Sequence, residues 1–283
     1  MAVFYNQATL SYGGVTLPSN ITEGELLSGI SGLKTALNSD YVRGDSLAYS
    51  VSITNSGTTA INTIKVSDNL GTYLIPQTST NAVPLEYIDG SVMLYIDGVI
   101  STAPPVTVGT EVVFGDISIP AGANALLIYE MRVNEYANLA VGSAITNTVT
   151  ISDGSINESV VSSATVPVRE YSDLTIAKAL CPPTVSENSQ LTYTFIIQNT
   201  GNVGIDESDL VLSDIFNPQL TGIEVMLNDS LLAPQNYTYN ETSGEFATLP
   251  GVISVPAATF TQSENGVVSV VPGVTVLTVT GTV

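Results

Sequence analysis

Six polar residues lie on otherwise apolar faces of alternating segments, and their types can react with one another. In "LTIAKAL", Lys178 alternates with Leu174, Ile176 and Leu180, so strand geometry places it on their side of a sheet. Aspartates and asparagines occupy comparable positions in other alternating segments. The first set is Lys34, Asp68 and Asn147, and the second set is Lys178, Asp214 and Asn6.

A lysine on such a face needs compensation, because an unpaired ammonium costs several kcal/mol in an apolar core. One interpretation is a buried Lys–Asp ion pair with Asn as a hydrogen-bond partner. The other is covalent. Burial lowers the lysine pKa and raises the aspartate pKa, so a neutral amine attacks the Asn amide while the acid polarises its carbonyl and shuttles the proton. The product is a Lys–Asn isopeptide bond with loss of ammonia.

The elements that must position these residues are short β-strands. Apolar residues make up 44% of the 283-residue chain and charged residues 11%, which excludes a disordered chain. Short alternating runs rich in Val, Ile and Thr are broken by Gly, Pro, Asn and Asp, which predicts an all-β protein with the strand spacing of sandwiches. No long helix-period segment occurs.

The chain contains two copies of one module. Residues 34–57, "KTALNSDYVRGDSLAYSVSITNSG", align without a gap to residues 178–201, "KALCPPTVSENSQLTYTFIIQNTG". The match continues from "IKVSDNL" to "LVLSDIF" and ends with "IPAGANALLIYEMRV" against "VPGVTVLTVTGTV". The fold prediction is therefore two tandem immunoglobulin-like β-sandwiches.

The two copies differ in their last strands. The first continues through residues 144–168, which predicts a closing hairpin with a turn at Asp153-Gly154. The second has no such segment after its last strand. Residues 6–24, "NQATLSYGGVTLPSNITEG", resemble this closing hairpin, with Asn6 matching Asn147 and Leu10 matching Ile151.

Donor-strand complementation reconciles these differences. Residues 1–24 form a donor hairpin, residues 25–168 a complete sandwich, and residues 169–283 a sandwich completed by the hairpin of another subunit. Such a contact is heterologous and propagates head to tail. Closure within one chain is the alternative, and it requires the tail to span a first sandwich roughly 40 Å long. The expected donor contacts are Phe4, Ala8, Leu10 and Tyr12.

In this scheme Lys34 bonds Asn147 within one chain, assisted by Asp68. Lys178 bonds Asn6 of the incoming subunit, assisted by Asp214, and this second bond cross-links neighbouring subunits of the polymer covalently. The motifs "NSG" and "NTG", "VSD" and "TNTVT" resemble the conserved-repeat, immunoglobulin-like domains of bacterial surface proteins (domain of unknown function eleven). The Lys and Asn placement is similar to cross-linked sandwiches of Gram-positive pilins and adhesins. These resemblances imply a structural subunit with autocatalytic bonds.

Other function classes find little support. The chain has no His, no Gly-rich phosphate loop and no nucleophile elbow, so an enzyme beyond self-cross-linking is not expected, nor is a cofactor. The acid cluster at 206–209 lacks regular ligand spacing, so no metal site is predicted. A formal charge of −20 disfavours nucleic acid and anionic membranes. The lone Cys181 is interpreted as an idle thiol, with an interchain disulfide as the alternative.

The expected function is a structural subunit of an extracellular filament or appendage, whose main partner is itself and whose further partner is a tip or anchor protein. No signal peptide or membrane-spanning run is visible. The expected location is a bacterial cell or spore surface, by analogy with endospore appendage and coat proteins. The alternative is a surface adhesin that binds its ligand through loops such as "TNSGTTAIN" and the insert at 229–268.

Overall fold

The computed structural model describes residues 2–26, 29–75, 78–153, 159–206, 208 and 210–283. The chain forms two compact units that divide mainly between Val168 and Arg169. The first comprises Met1–Ala137, Ala144–Val168 and Glu264–Val267, and the second comprises Asn138–Ser143, Arg169–Ser263 and Val268–Val283. The predicted all-β class is confirmed, and each unit contains a sandwich of antiparallel sheets.

The N-terminal segment folds as a long hairpin of four short strands, β1 (Ala2–Asn6), β2 (Thr9–Tyr12), β3 (Val15–Pro18) and β4 (Thr22–Leu26). β1 pairs with β4 and β2 with β3, both antiparallel. The turn is Gly13-Gly14, where both φ angles are positive (54° and 80°), as a tight hairpin turn requires. Every residue from 4 to 23 is exposed.

The sandwich of the first unit has two main sheets. One has the strand order β12-β11-β15-β6-β5, with β10 also on β15, and the other has β13-β14-β7-β16-β17. Apolar residues alternate along these strands, so the buried sets of both sheets form one core. The strands are β5 (Ile30–Ala36), β6 (Ser46–Asn55), β7 (Ile61–Asp68), β8 (Tyr73–Leu74), β9 (Asn81–Ala82), β10 (Leu85–Tyr87), β11 (Met93–Ile96), β12 (Val99–Ser101), β13 (Val106–Val108), β14 (Val112–Ile119), β15 (Asn124–Val133), β16 (Ala144–Asp153) and β17 (Val160–Pro167).

The predicted closing hairpin is present as β16 and β17, but its turn differs from the prediction. Ile151 pairs with Val160. A two-residue turn at Asp153-Gly154 would instead pair Ser152 with residue 155, so this pairing excludes the predicted turn position. The predicted turn residues from 154 onward lie outside the described residues.

The second unit repeats this arrangement with fewer strands. One sheet has the order β18-β19-β27-β21-β22, a second has β20-β24-β23, and β25 pairs with β26. Its core includes Tyr193, Phe195, Phe216, Phe246 and Leu277. The elements are β18 (Leu174–Cys181), β19 (Gln190–Asn199), β20 (Ser213–Ile215), β21 (Thr221–Leu227), β22 (Ser230–Leu231), a 3-10 helix (Pro234–Asn236), β23 (Tyr237–Tyr239), β24 (Glu245–Thr248), β25 (Thr259–Gln262), β26 (Val268–Val271) and β27 (Gly273–Thr282).

The edge of β20 is the main difference between the two sandwiches. In the first unit β7 pairs with β14 on one side and β16 on the other. In the second unit β20 pairs with β24, and among the described residues no strand pairs with its other edge. The first strand differs accordingly. β5 buries Ile30 and Lys34, whereas β18 is exposed on both faces from Thr175 to Cys181.

Candidate functional site

The first predicted set forms a buried polar cluster. The Nζ of Lys34 makes an ion pair with Oδ2 of Asp68, and both side chains have no exposed surface. The hydroxyl of Tyr129 donates a hydrogen bond to the same carboxylate oxygen over 2.6 Å and accepts one from Lys34 Nζ over 3.0 Å. The predicted burial of Lys34 and Asp68 is therefore confirmed, and their charges are compensated by each other.

Asn147 completes this cluster, and it is fully buried as predicted. Its Nδ2 donates to Asp68 Oδ2 over 3.2 Å and to Met131 Sδ over 3.5 Å. The Oδ1 of Asn147 is buried and has no hydrogen-bond partner among the described residues. An ionised carboxylate attracts the amide N–H, so Asp68 does not polarise the carbonyl in this orientation. The predicted polarisation requires a protonated acid and a turned amide.

Burial moves the proton affinities of this cluster. Loss of solvent lowers the pKa of Lys34 to about 8, against the opposing attraction of Asp68. The pKa values of Tyr49 and Tyr129 are raised, mainly by burial and then by the charge of Asp68. A lysine with this pKa is partly neutral near physiological pH, and only the neutral amine is a nucleophile.

Strand parity explains how the sequence brings these groups together. Lys34 lies on the inward face of β5, where its Nζ is 4.4 Å from the ring centroid of Tyr49 and 5.4 Å from that of Tyr129. Sequence reasoning missed Tyr129. Its place on the inward face could have been predicted, because Ala125, Leu127 and Met131 alternate with it along one face of β15.

The second predicted set is divided. Lys178 and Asp214 form an ion pair like that of Lys34 and Asp68, but their side chains remain 40% and 20% exposed. The prediction that they point toward a core is correct in direction, since Lys178 Nζ is 4.5 Å from the Tyr193 ring centroid. The prediction of burial does not hold in the chain alone, because no described strand covers β18 as β17 covers β5.

The second ion pair also lacks one partner of the first. Tyr49 on β6 pairs with Tyr129 on β15, whereas the matching Tyr193 on β19 pairs with Val279 on β27. No tyrosine hydroxyl therefore stands at this place beside Asp214. Instead, the rings of Phe195 and Phe216 lie 5.5 Å and 5.8 Å from Lys178 Nζ, and with Tyr193 they form an aromatic wall.

Asn6, the third member of the second set, lies on the exposed hairpin, where it pairs with Thr22. The predicted donor residues share this hairpin. Phe4, Leu10 and Tyr12 are 55%, 64% and 62% exposed, and Ala8 is exposed as well. Phe4 lies across Gly24, its neighbour on the paired strand, in the space that a Cβ on Gly24 would take.

An apolar groove of about 310 Å³ lies between β18 and the chain leading into β20. Its lining includes Leu174, Ile176, Leu210, Leu212 and Ile253. Ile176 and Leu180 lie on the same face of β18 as Lys178, and their side chains are 61% and 49% exposed. The groove therefore adjoins the second ion pair and the free edge of β20.

The remaining predicted features carry little chemistry. Cys181 is a free, exposed thiol. Glu207 and Asp209 of the acid cluster lie outside the described residues. In the described part of the chain no three metal-ligating side chains cluster, and no described helix is long and apolar enough to cross a membrane.

No protein-family model matches the sequence, and no curated protein matches it. Among solved structures, the chain is similar to BcpA, the major pilin subunit of Bacillus cereus, with 12% identity over 96% of this chain and 73% of that chain at a TM-score of 0.35. It is similar to the RrgB pilus backbone of Streptococcus pneumoniae, with 12% identity, 83% and 53% coverage and a TM-score of 0.37.

A third similar structure is the collagen-binding subdomain of the Enterococcus faecalis surface protein ACE, with 8% identity over 50% of this chain and 99% of that chain at a TM-score of 0.31. At these identities and TM-scores the similarities carry no argument about fold or function. The functional interpretation therefore rests on the geometry of the two ion pairs, the groove and the β20 edge.

Proposed function

We propose that this protein is a structural subunit of an extracellular filament that assembles head to tail by donor-strand complementation. One observation carries the proposal. The β20 edge and the adjoining groove lack a partner strand among the described residues, while the exposed hairpin β1–β4 resembles in sequence the strand that fills this place in the first sandwich.

The exposed apolar surface supplies the driving force. Leu10 and Tyr12 on the hairpin and Ile176 and Leu180 on the acceptor are about half exposed or more. Burial of each large apolar side chain contributes about 1.5–3 kcal/mol. Added backbone hydrogen bonds along the β20 edge place the sum within reach of the association cost of about 4–15 kcal/mol.

The contact joins different surfaces of two identical chains, so it leaves a free donor and a free acceptor after every addition. A heterologous contact of this kind forms a ring if it closes and a filament if it does not. The formal charge of −20 keeps free subunits apart in solution and favours a regular assembly over indiscriminate aggregation.

The Lys–Asp–Asn sets would then make the assembly covalent. A proton passes from Lys34 to Asp68, and the neutral Nζ attacks Cγ of Asn147. The new Nζ–Cγ bond replaces the bond from Cγ to Nδ2. The carboxyl group gives its proton to the departing nitrogen, which leaves as ammonia, and the resulting carboxylate takes one proton from Nζ, which keeps a single amide hydrogen. At the joint the same balance applies to Lys178, Asp214 and the partner subunit's Asn6.

The finer assignments belong to the same proposal. The filament stands on a bacterial cell or spore surface, its main partner is a second copy of this chain, and a tip or anchor protein ends it. The kinship with the conserved-repeat immunoglobulin-like domains is likewise proposed. No catalysis on another molecule is assigned.

Deletion of residues 1–24 tests the assembly. Full-length protein should form filaments in negative-stain micrographs, and the deletion variant should remain monomeric with an unchanged first sandwich. A synthetic peptide of residues 2–24 should bind the deletion variant and raise its melting temperature, whereas a Leu10→Asp peptide should not. A deletion variant that still forms filaments overturns the proposal.

Mass spectrometry tests the Lys–Asn isopeptide bonds independently of assembly. Intact wild-type multimers should lack one ammonia per joint and one per first sandwich. Lys178→Ala and Asn6→Ala should abolish the loss at the joint alone, and Asn147→Ala the loss within the first sandwich alone. Filaments that retain every ammonia mean that the sets are polar networks only, and the assembly proposal survives that result.

A further inference from the structure

We infer the strand register of the joint: Ala8 of the incoming hairpin lies opposite Asp214, Thr9 opposite Ser213, and Leu10 opposite Leu212. The inference rests on the proposed donor-strand assembly and specifies which backbone positions of the two copies pair. It follows from three structural relationships within the chain.

The first relationship is that Asp68 and Asp214 occupy equivalent places. Each carboxylate makes an ion pair with the lysine of the first strand of its sandwich. On the next strand of its sheet, Asp68 pairs with Val112 and Asp214 with Phe246, both buried. The free edge at Asp214 is therefore the edge that β16 covers at Asp68.

The second relationship is the observed register of β16 on β7. Val149 lies opposite Asp68, Thr150 opposite Ser67, and Ile151 opposite Val66. This register places Asn147, two residues before Val149, on the side of β16 that faces the core. Its amide consequently reaches Asp68.

The third relationship is the sequence match between hairpin and β16. With Asn6 at the position of Asn147, Ala8 takes the place of Val149, Thr9 that of Thr150 and Leu10 that of Ile151. Transferred to β20, the register puts Asn6 over the ion pair of Lys178 and Asp214. It also aims Leu10 and Tyr12 at the apolar groove.

The second arm of the hairpin fits the same placement. In the first sandwich Ser162 on β17 accepts a hydrogen bond from the backbone N–H of Lys34 through its Oγ, over 2.9 Å. Ser19 follows Pro18, which pairs with Thr9 as Val161 pairs with Thr150. Ser19 thus stands where Ser162 stands, within reach of the Lys178 N–H.

The end of the hairpin opposite its turn, at Phe4 and Gly24, would fill about the same core volume as the matching end of β16 and β17. Ile145 and Val166 form a buried cross-strand pair in the first sandwich. Phe4 and Gly24 form the matching pair on the hairpin, where one large ring lies over a residue without a side chain. One large and one empty position replace two medium side chains. The second arm carries one extra residue between Pro18 and Thr22, because the hairpin pairing shifts by one there while that of β16 and β17 does not.

Disulfide trapping tests this register in a Cys181→Ser background. Facing residues in an antiparallel pair have Cα atoms about 5.5 Å apart, which suits a disulfide. The variant Thr9→Cys/Ser213→Cys should form intermolecular disulfides under oxidised glutathione, identified as linked peptides by mass spectrometry. Both positions are exposed, so the substitutions leave the cores intact.

Two shifted pairs are the controls, Thr9→Cys/Val211→Cys and Ser11→Cys/Ser213→Cys. Each moves one partner by two residues, and each should trap at least about tenfold less than the inferred pair. If a shifted pair traps best while filaments form, the register is wrong and donor-strand assembly stands. If no filaments form and no pair traps, both proposals fail.

Discussion

Lys34 and Asp68 form an ion pair whose two side chains have no exposed surface. Removal of one partner leaves a buried, uncompensated charge, so Lys34→Met alone and Asp68→Leu alone should each destabilise the first sandwich by about 3–5 kcal/mol. The double variant should recover most of this loss. Urea unfolding measures all three, in an Asn147→Ala background that prevents a covalent bond.

The partly exposed pair of Lys178 and Asp214 provides the matched control. Water screens this pair in the monomer, so Lys178→Met in the variant lacking residues 1–24 should change the free energy of unfolding by less than about 1 kcal/mol. A loss as large as that of Lys34→Met would mean that the second pair is already closed off from solvent.

The hydroxyls of Tyr49 and Tyr129 should differ in their contribution to stability. The Tyr129 hydroxyl bonds the charged groups of Asp68 and Lys34, whereas the Tyr49 hydroxyl makes no such charged hydrogen bond and interacts with the neutral side chain of Asn147. Tyr129→Phe should therefore cost about 1.5–3 kcal/mol, and Tyr49→Phe should cost less than about 1 kcal/mol. Equal costs in calorimetric melts would contradict this assignment.

The lowered pKa of Lys34 predicts a rise of stability with pH. Above about pH 8 the native state releases the Lys34 proton, while the unfolded chain keeps it up to about pH 10.4. The unfolded state then binds more protons, so stability should increase by about 1–2 kcal/mol between about pH 8 and pH 9.5. Above about pH 10 the raised pKa values of Tyr49 and Tyr129 reverse the trend.

This rise requires a free amine, so the measurement uses Asn147→Ala and compares it with Asn147→Ala/Lys34→Met. Urea midpoints across the alkaline range should rise in the first protein only. Parallel curves for the two proteins would show that Lys34 keeps its ordinary pKa.

The contact of Phe4 with Gly24 predicts a sensitive point in the hairpin. A Cβ on Gly24 would lie 2.8 Å from Cε1 of Phe4, so Gly24→Val must displace the ring. Filament formation, followed by light scattering, should slow by at least about tenfold, which corresponds to about 1.4 kcal/mol in the activation free energy of joining. Glu23→Val, one residue away and exposed, should assemble at the wild-type rate.

Salt should accelerate the joining of subunits. Each chain carries a formal charge of −20, and the repulsion between exposed charges is screened beyond about 10 Å at 0.1 M salt. Assembly rates should therefore increase between about 0.01 M and 0.15 M sodium chloride. A rate that falls with salt would indicate that attractive charge pairs guide the joint.

Strand parity predicted much of the first site. Lys34, Asp68 and Asn147 alternate with apolar residues, and a period of two fixes the face on which each lies. The internal repeat then predicted the pairing of Lys178 with Asp214. Both predictions depend on local pattern, which a single sequence contains in full.

Other features required the coordinates. Tyr129 looks like any core tyrosine until its hydroxyl is seen between Lys34 and Asp68, because only the paired register of β6 and β15 brings it there. The turn after β16 was predicted at the wrong position, since a good Asp-Gly turn signal competes with a strand register set by core packing, and Ile151 pairs with Val160. The exposure of Lys178 agrees with the missing closing hairpin that the repeat comparison predicted, whereas its extent depends on which strands cover β18.

The hairpin and the open edge of β20 belong to one chain but to separate segments, and this separation has a consequence for growth. A filament assembled through them has one end with a free donor hairpin and one end with a free β20 edge. A subunit that lacks residues 1–24 would bind the end with the free hairpin through its own β20 edge. Because it has no hairpin to offer the next subunit, elongation would stop there. Sub-stoichiometric amounts of such a fragment would therefore set filament length without altering any interior joint.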